Sequence, residues 1–426
     1  MAPEGNGPMS QHFSVSPEVQ SILDQLPVVT NNGQTAPMLP RGCYTSPDFF
    51  DFERDAVFAR SWTCVGHQDQ LPKPGDFLTP NIAGEPIIVV RTAEGAIRAM
   101  SAVCQHRGQI VACGPGSAAR SFRCPLHFWT YDLNGRLLGA PRMDDIGKLR
   151  KKIKLPAIRL EIWHGFLFVN LDDNAAPLAP SLAKLEPFWA GYEEADLRAV
   201  PPASLANPLP WNWKIHAENF TDAYHPEFVH VGTHDFAPSV HPDGGVQFTA
   251  FAPGDNAIVR SVPLLRPDGG MTADGWGENA MFPAIETLSS EQRRRLTFAL
   301  LPPSMTLVFA PGAIAYQLIS PVAADATMAS NDRVTAGGWL LPKSTIGLPD
   351  FKQRTSVVQE GARKIWLQDI PVNNGVQTGK RSRFMPTIEE DLYNRLETTL
   401  LQFNAWLVNT YREGQRTLPQ RCEHNA

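Results

Sequence analysis

Between residues 85 and 172 the chain breaks into short apolar runs divided by turn residues: EPIIVVRT, IRAMSAV, SFRCPL, FWTYDLNGRLL and EIWHGFLFVNL. Runs of this length predict β-strands, and LNGR within the fourth has the chemistry of a hairpin turn. From about residue 41 to 172 the texture is that of a small all-β module. Residues 173–426 read differently. LPPSMTLVFAPGAIAYQLISPV alternates as two strands around a turn do, whereas TIEEDLYNRLETTLLQFNAWLVNTYREG has the apolar spacing of a long amphipathic C-terminal helix. DDNAAPLAPSLAKL, where the two regions meet, is rich in proline and alanine and reads as a linker. Residues 1–40 hold Pro, Gln and Asn around one amphipathic piece, PEVQSILDQL, and read as an arm or N-terminal helix of the second unit. The predicted class is α+β: an arm over 1–40, a β module over 41–172, and an α+β domain over 173–426.

A chain of 426 residues exceeds what one hydrophobic core usually serves, which agrees with two units. Hydrophobic residues make up 43% and charged residues 19%, the balance of a packed globular protein. With 38 basic and 43 acidic residues the net charge is −5, which argues against a nucleic-acid binder. No apolar run approaches the roughly 18 residues of a membrane span. The opening MAPEGNGPMSQHFSVSPEVQ lacks the basic start and apolar centre of a signal peptide, so a cytoplasmic location is expected. The six cysteines (Cys43, Cys64, Cys104, Cys113, Cys124 and Cys422) are then expected as thiols or ligands rather than disulfides.

Two of those cysteines sit beside histidines. Residues 104–127 read CQHRGQIVACGPGSAARSFRCPLH, which pairs Cys104 with His106 and Cys124 with His127, 17 residues lying between the pairs. Zinc fingers group their cysteines together and their histidines apart. Here each loop supplies one thiolate and one imidazole. That suits a [2Fe–2S] cluster with two cysteines on one iron and two histidines on the other, neutral imidazoles raising the reduction potential. Gly108, Gly114, Pro115 and Gly116 fit tight loops that turn backbone N–H groups toward cluster sulfurs. GPGSAA opens no helix and is not a nucleotide loop. CQHRG and CPLHFWTYDLNGRL resemble the two loops of the Rieske motif. Phe128 departs from that motif, which commonly has glycine at this place, and Cys113 reads as a structural residue.

The second constellation is ENFTDAYHPEFVH, residues 218–230. On an ideal helix His225 and His230 would stand about 140° apart, too far round to share one metal ion. Pro226 disfavours helical geometry at His225 and removes a backbone donor, so a break or kink is expected between the two imidazoles. Two histidines and one carboxylate on one face of iron make the facial triad of non-heme Fe(II) oxygenases, with positions left for O₂ and substrate.

Together the two constellations resemble the catalytic subunit of the Rieske non-heme iron oxygenases, the ring-hydroxylating family. The resemblance runs from RSWTCVGHQDQLPKPGDF through EIWHGFLFVNLD to PWNWKIHAENFTDAYHPEFVH and beyond. It implies a Rieske module joined to a catalytic domain with a helix-grip (START-type) antiparallel sheet. It implies cluster ligands at Cys104, His106, Cys124 and His127, and mononuclear iron ligands at His225 and His230. Asp222 is implied as a bridge, hydrogen-bonded to His225 and reaching a Rieske histidine of the neighbouring subunit, here His127. A carboxylate there fixes both imidazoles and shortens the electron path. Glu218, Asn219 and Tyr224 match the surrounding motif. The candidates for the third ligand are Glu360, Asp369, Glu389, Glu390 and Asp391. WLQDIPVNNGVQTG resembles the family's third-ligand segment, which points to Asp369 with Gln377 as its following glutamine; the other acids are expected on a solvated face of the last helix.

What the resemblance implies for function is a terminal oxygenase component. It would use O₂ and electrons from NAD(P)H, delivered by a separate flavin reductase or ferredoxin, to hydroxylate an aromatic or related small organic substrate. A homotrimer is implied, or an α3β3 assembly with a small second subunit. Two alternatives stand beside it: oxidation or demethylation of a quaternary ammonium compound, and a pure Rieske electron carrier, which would have no use for a facial triad. The basic run KLRKKIK (Lys148 to Lys154) is either a docking face for an acidic electron donor or a solvated surface. His234 and His241 read as surface or pocket residues. Phe228, Phe236, Phe251, Phe282, Phe298, Phe309 and Tyr316 divide between a pocket wall and the core. Arg260 is a candidate anchor for a substrate carboxylate, with a structural role the default.

Overall fold

Strand β4 (Glu85–Arg91) shows how the β module is built. Its four central residues, Ile87 to Val90, are all fully buried. Successive side chains of a strand point to opposite faces. Ile87 and Val89 therefore pack toward helices of the second region, while Ile88 and Val90 enter a separate cluster with Cys104, Cys124, Trp129 and Tyr131. Each such side chain contributes roughly 1.5–3 kcal/mol by leaving water. The structure, a computed structural model, describes residues 15–30, 33–118, 120–143, 146–200, 209–242, 244–265, 270–272, 275–277, 282–324, 335–385 and 393–418.

Around β4 lie β1 (Thr63–His67), β2 (Asp76–Leu78), β3 (Asn81–Ile82), β5 (Ile97–Ser101), β6 (Gly116–Ser117), β10 (Ala157–Trp163) and β11 (Phe166–Asn170). They form an eight-stranded antiparallel sheet in the order β1-β11-β10-β5-β4-β2-β6, with β3 paired to β4. A second, three-stranded sheet joins β7 (Ser121–Arg123), β8 (Thr130–Asp132) and β9 (Leu137–Gly139). Asn134 and Gly135 make the predicted hairpin turn between β8 and β9, where Gly135 takes φ +81° at no steric cost.

The second half of the expected linker is helical. α3 (Leu178–Leu182) runs into a 3₁₀ turn, Ala183–Leu185. The prolines that suggested a linker sit at Pro177, just before it, and Pro180, in its first turn, where a missing N–H costs no helical bond. Leu178, Leu182 and Leu185 recur at helical spacing on one face. They pack between Trp62, just before β1, with Phe166 and Phe168 of β11, and Leu307 and Phe309 of the second region, joining the two regions in one core.

Beyond it, β12 (Leu197–Val200), β13 (Gln247–Phe248), β14 (Ile258–Pro263), β17 (Arg295–Leu301), β18 (Met305–Ala310), β19 (Ala313–Ile319) and β20 (Thr335–Pro342) form a seven-stranded antiparallel sheet. Its order is β12-β20-β19-β18-β17-β14-β13; β15 (Gly270–Thr272) and β16 (Gly275–Gly277) make a separate hairpin. β18 and β19 are the two strands predicted around a turn, in register from Ala310 opposite Ala313 outward. Helices α4 (Trp213–Thr221), α6 (Phe351–Lys380) and α7 (Thr398–Thr417) complete the unit, a helix-and-antiparallel-sheet arrangement of the α+β class. α6, 30 residues long, has no counterpart among the sequence-based expectations. Its buried positions are mostly polar (Asp369, Asn373, Gln377 and Lys380) and it contains Pro371, so it lacks both the apolar stripe and the clean continuity that announce a helix.

The N-terminal piece forms α1 (Pro17–Asp24), whose N-cap Ser16 accepts from Val19 N–H. With α2 (Pro47–Glu53) it packs on α7. Gln415 donates to Gln20 at 3.1 Å, and Arg412 to the Pro27 carbonyl at 3.0 Å. Deeper in the same core, Glu53 meets Lys214 of α4 at 2.7 Å, both fully buried, and the Tyr411 hydroxyl of α7 also donates to Glu53. Among the described residues, no helix is long and apolar enough to cross a membrane.

Candidate functional site

The two Cys/His loops are built alike. Cys104 N–H donates to the Gln109 carbonyl and Gly108 N–H returns to the Cys104 carbonyl; Cys124 N–H donates to the Trp129 carbonyl and Phe128 N–H returns to the Cys124 carbonyl. The fifth residue of each loop takes a left-handed conformation, Gly108 at φ +75° and Phe128 at φ +59°. This accounts for glycine at that place in the Rieske motif, and Phe128 accepts a steric cost of roughly 1–2 kcal/mol there. Its ring is exposed and lies 5.8 Å from the Arg123 guanidinium.

Cys104 and Cys124 are buried. The His106 and His127 rings lie 4.7 Å apart, and His106 also stacks on Trp129 at 4.6 Å. Among the described residues, three-donor groups at the spacing of one ion include no member of this set. A two-iron cluster needs two separate donor pairs, so the set fits it better than a single zinc ion. The Tyr131 hydroxyl stands 3.3 Å from Cys104 Sγ and accepts from Gln105 N–H at 3.1 Å. Burial, with Cys104 beside it, raises the Tyr131 pKa, so the hydroxyl keeps its proton for the sulfur. Sequence reasoning missed Tyr131, although its place after CPLHFWT was visible. Cys113, expected to be structural, is exposed. GPGSAA contributes the edge strand β6.

At the second constellation the break is not where the sequence suggested. α4 ends at Asp222, which turns to extended backbone (ψ 126°), and Pro226 opens a new one-turn helix, α5 (Pro226–Val229). Between the two histidines the chain is helical, with His225 (ψ −29°) and His230 as its flanking residues. Pro is well suited to a first helical position, which outweighs its usual bias against helical geometry in the preceding residue. The turn before it is held by the Asp222 carboxylate, which accepts from Tyr224 N–H at 2.7 Å and His225 N–H at 3.2 Å. Thr399 of α7 clamps the end of α4 by donating to the Thr221 carbonyl at 2.7 Å.

These constraints bring the imidazoles within 5.2 Å, ring to ring. Asp369, near the middle of α6, completes the group: its Oδ1 lies 3.2 Å from His230 Nε2 and 3.7 Å from His225 Nε2. The three ligand atoms lie within 4.8 Å of one another. Each histidine donates its Nδ1–H elsewhere, His225 to Asp222 at 3.0 Å and His230 to Gln368 Oε1 at 3.1 Å. Both Nε2 lone pairs are thereby left on the Asp369 side, the tautomer a metal requires. Two imidazoles and one carboxylate of this spacing fit a mononuclear iron. Burial raises the Asp222 carboxyl, but the His225 hydrogen bond and charge and the two backbone donors outweigh it and hold it below its usual value. Asn219 donates to Asp369 Oδ1 at 3.2 Å.

Gln368 was not singled out from sequence; only its place beside Asp369 marks it. Gln377 is buried and accepts from Asn212 N–H, the N-cap of α4, at 2.7 Å, so α6 is pinned to the helix that leads into the histidines. Glu360, expected on the last helix, lies on α6 and pairs with Arg363 at the surface. Glu389, Glu390 and Asp391 lie outside the described residues. Glu218 is half-buried and accepts from the Tyr44 hydroxyl, outside the triad.

The triad faces a cavity of about 240 Å³. Phe236, Phe282 and Phe298 line it, as do His234 and Arg260; Phe251, Phe309 and Tyr316 belong to the core, and Phe228 is exposed. Trp339, Trp366 and His216 also line it and were not foreseen. His216 stacks on Trp366, its Nε2 meets Gln317 Oε1 at 3.3 Å, and burial pushes its pKa down to about 4. Of the basic run, Lys151, Lys152 and Lys154 are exposed.

Comparison with known proteins agrees with this geometry. The Rieske [2Fe-2S] domain family matches residues 61–154, and the ring hydroxylating alpha subunit (catalytic domain) family matches residues 189–413. The carnitine monooxygenase oxygenase subunit of Acinetobacter baumannii is 34% identical over 228 residues, 52% of this chain and 60% of that one. The benzene 1,2-dioxygenase subunit alpha of Pseudomonas putida is 33% identical over 215 residues, 49% of this chain and 45% of that one. The chain thus spans 60% of the length of the first of these curated relatives and less of the second. A quaternary ammonium Rieske monooxygenase, solved in complex with L-carnitine, shares the fold at a TM-score of 0.68 and 23% identity, over 94% of this chain and 100% of that one. With a catalytic-domain match covering more than half of its length, the chain belongs to the ring-hydroxylating alpha-subunit family.

Proposed function

We propose that this protein is the terminal oxygenase component of a multicomponent Rieske oxygenase. The observation that carries the reading is the convergence of His225, His230 and Asp369 on an aromatic-lined cavity, in a chain that also holds paired Cys/His loops. In this reading residues 41–172 carry the cluster on Cys104, His106, Cys124 and His127, residues 173–426 carry the iron, and residues 1–40 buttress the second unit. When bound, the iron supplies open coordination positions for O₂ chemistry and the cluster a one-electron store. The protein's own contribution is positional. Asp222 fixes the His225 tautomer, Gln368 fixes that of His230, and the aromatic wall excludes water from the substrate.

Asp222 is partly exposed, so its carboxylate can serve a second imidazole from outside. Exposed apolar side chains flank both ends of such a contact: Leu126 and Phe128 beside His127, and Tyr224, Phe228 and Val231 beside Asp222. They support a ring assembly, a homotrimer or α3β3, in which Asp222 meets His127 of the next subunit. Electrons would come from NAD(P)H through a separate ferredoxin or flavin reductase.

The substrate is a small organic molecule. An arene and a quaternary ammonium compound both suit a wall of Phe282, Phe298, Trp339 and Trp366, the second through cation–π attraction. The test is anaerobic purification with iron, followed by O₂ uptake with NADH, a reductase and a panel of arenes and alkylammonium compounds. About three irons per chain, a Rieske-type EPR signal and uptake coupled to product are expected. Bound zinc without that signal would overturn the cluster assignment.

A further inference from the structure

Arg260 presents a problem that the iron site does not solve. It lies on β14, opposite Phe298 of β17, and its guanidinium rests on the Phe298 ring, Cζ 4.0 Å from the centroid. It is 4% exposed and lines the same cavity as His225, His230 and Asp369. It is the one lysine or arginine among the described residues of that lining. A buried guanidinium normally meets a carboxylate, because stripping its water without replacement is costly. Arg260 forms no such pair among the described residues. Among the described residues, one NH₂ group donates to the Phe220 carbonyl at 3.3 Å, a long contact, and Nε–H has no acceptor. Burial lowers its pKa to about 10, partly offset by the charge of Asp222, so it is a cation at neutral pH.

The surroundings do not supply the missing acceptor. His234 lines the same cavity, its ring 6.2 Å from that of His230 and 6.3 Å from that of Phe298, on which Arg260 rests. Among the described residues no hydrogen bond joins His234 to Arg260. Phe220, Phe236 and Leu296 make the nearby wall apolar. A cationic fork with spare N–H donors in an apolar cavity is the recognition element for a planar anion. We propose that the oxygenase substrate carries a carboxylate and that Arg260 binds it, turning the far end of the molecule toward His225, His230 and Asp369.

This rests on the oxygenase reading for the word substrate, but not for the binding event. It also separates the two substrate classes left above. A plain hydrocarbon arene would leave Arg260 unsatisfied, and a simple alkylammonium cation would be repelled by it. A zwitterion with its ammonium on the aromatic wall, or an aromatic acid, would satisfy it.

The test is calorimetric titration of the iron-loaded holoprotein under anaerobic conditions with two matched pairs: L-carnitine against its carboxamide, and benzoate against benzamide. At least one carboxylate is expected to bind about 10- to 100-fold more tightly than its amide, the worth of a charge-assisted hydrogen bond. Arg260→Gln should erase that preference and Arg260→Lys should keep part of it. If neither carboxylate outbinds its amide in the wild type, Arg260 only balances Asp222 and the inference fails; that comparison needs no variant. If the preference survives in Arg260→Gln, it fails equally. Binding without O₂ uptake would sink the oxygenase reading and leave the carboxylate site standing. Coupled turnover of uncharged arenes with no carboxylate preference would do the reverse.

Discussion

The two ligand sets are assembled in opposite ways. The Cys/His loops lie within residues 104–127, each closed by its own backbone hydrogen bonds, with both imidazoles at the surface. The triad draws His225 and His230 from one turn and Asp369 from a helix far along the chain, and it faces inward. A self-closed loop pair needs little from the rest of the molecule, whereas the triad depends on α4, α5, α6 and α7 being in place together. The first set can meet partners at the surface, and the second can keep a substrate from water.

This contrast is open to direct attack. The largest effect is expected from Asp369→Ala, which removes the one carboxylate of the triad. The purified variant should lose its mononuclear iron and all turnover while the Rieske EPR signal stays at wild-type strength. Loss of both centres together would show that the two sets are not independent. Asp222→Asn should retain both metal centres and lose about 100-fold or more of turnover, since the amide can serve one imidazole but not two as acceptor. Normal turnover in that variant would remove Asp222 from the electron path. Gln368→Leu frees the His230 ring and should weaken mononuclear iron binding by about 10- to 100-fold, read by chelator competition, with the cluster untouched.

The smallest effect concerns pH. His216 is held near 4 by burial, against about 6.5 in an unfolded chain. A histidine whose folded pKa is depressed binds protons more readily when unfolded, so its contribution is full above pH 6.5 and is lost as pH falls toward 4. At pH 5 the loss through this one group is about 2 kcal/mol. Denaturation midpoints at pH 7 and pH 5 should therefore lie closer together in His216→Gln than in the wild type. An unchanged interval would mean that the ring is not buried neutral.

Legibility from sequence follows the same division. The strands of the β module and the hairpin at Asn134–Gly135 were readable because their signals are local: apolar runs of strand length and turn residues at fixed offsets. Cys104, His106, Cys124 and His127 stood out for the same reason. His225 and His230 were visible as a pair, but the reason they converge was misplaced. The chain turns at Asp222, held by hydrogen bonds of its side chain, and Pro226 starts a helical turn where a break between the histidines was expected. α6 escaped because its buried face is polar, spent on Asp369, Asn373 and Gln377. The α3 segment escaped because prolines outside and at the start of a helix look like those of a linker. Gln368, Tyr131 and the unpaired state of Arg260 were beyond reach, since each depends on what lies across the fold.

The clasp of α1 and α2 on α7 has a consequence for biosynthesis. α1 and α2 rest on α7, and Glu53 completes its buried contacts only when Lys214 and Tyr411 have arrived. On the ribosome, the first helices must wait for the last one. The core behind the Cys/His loops is drawn from residues 88–155 and is synthesised long before that point. Iron–sulfur loading can therefore precede the synthesis of α7, while the pocket that receives the second metal needs Asp369 of α6 and the Thr399 clamp of α7.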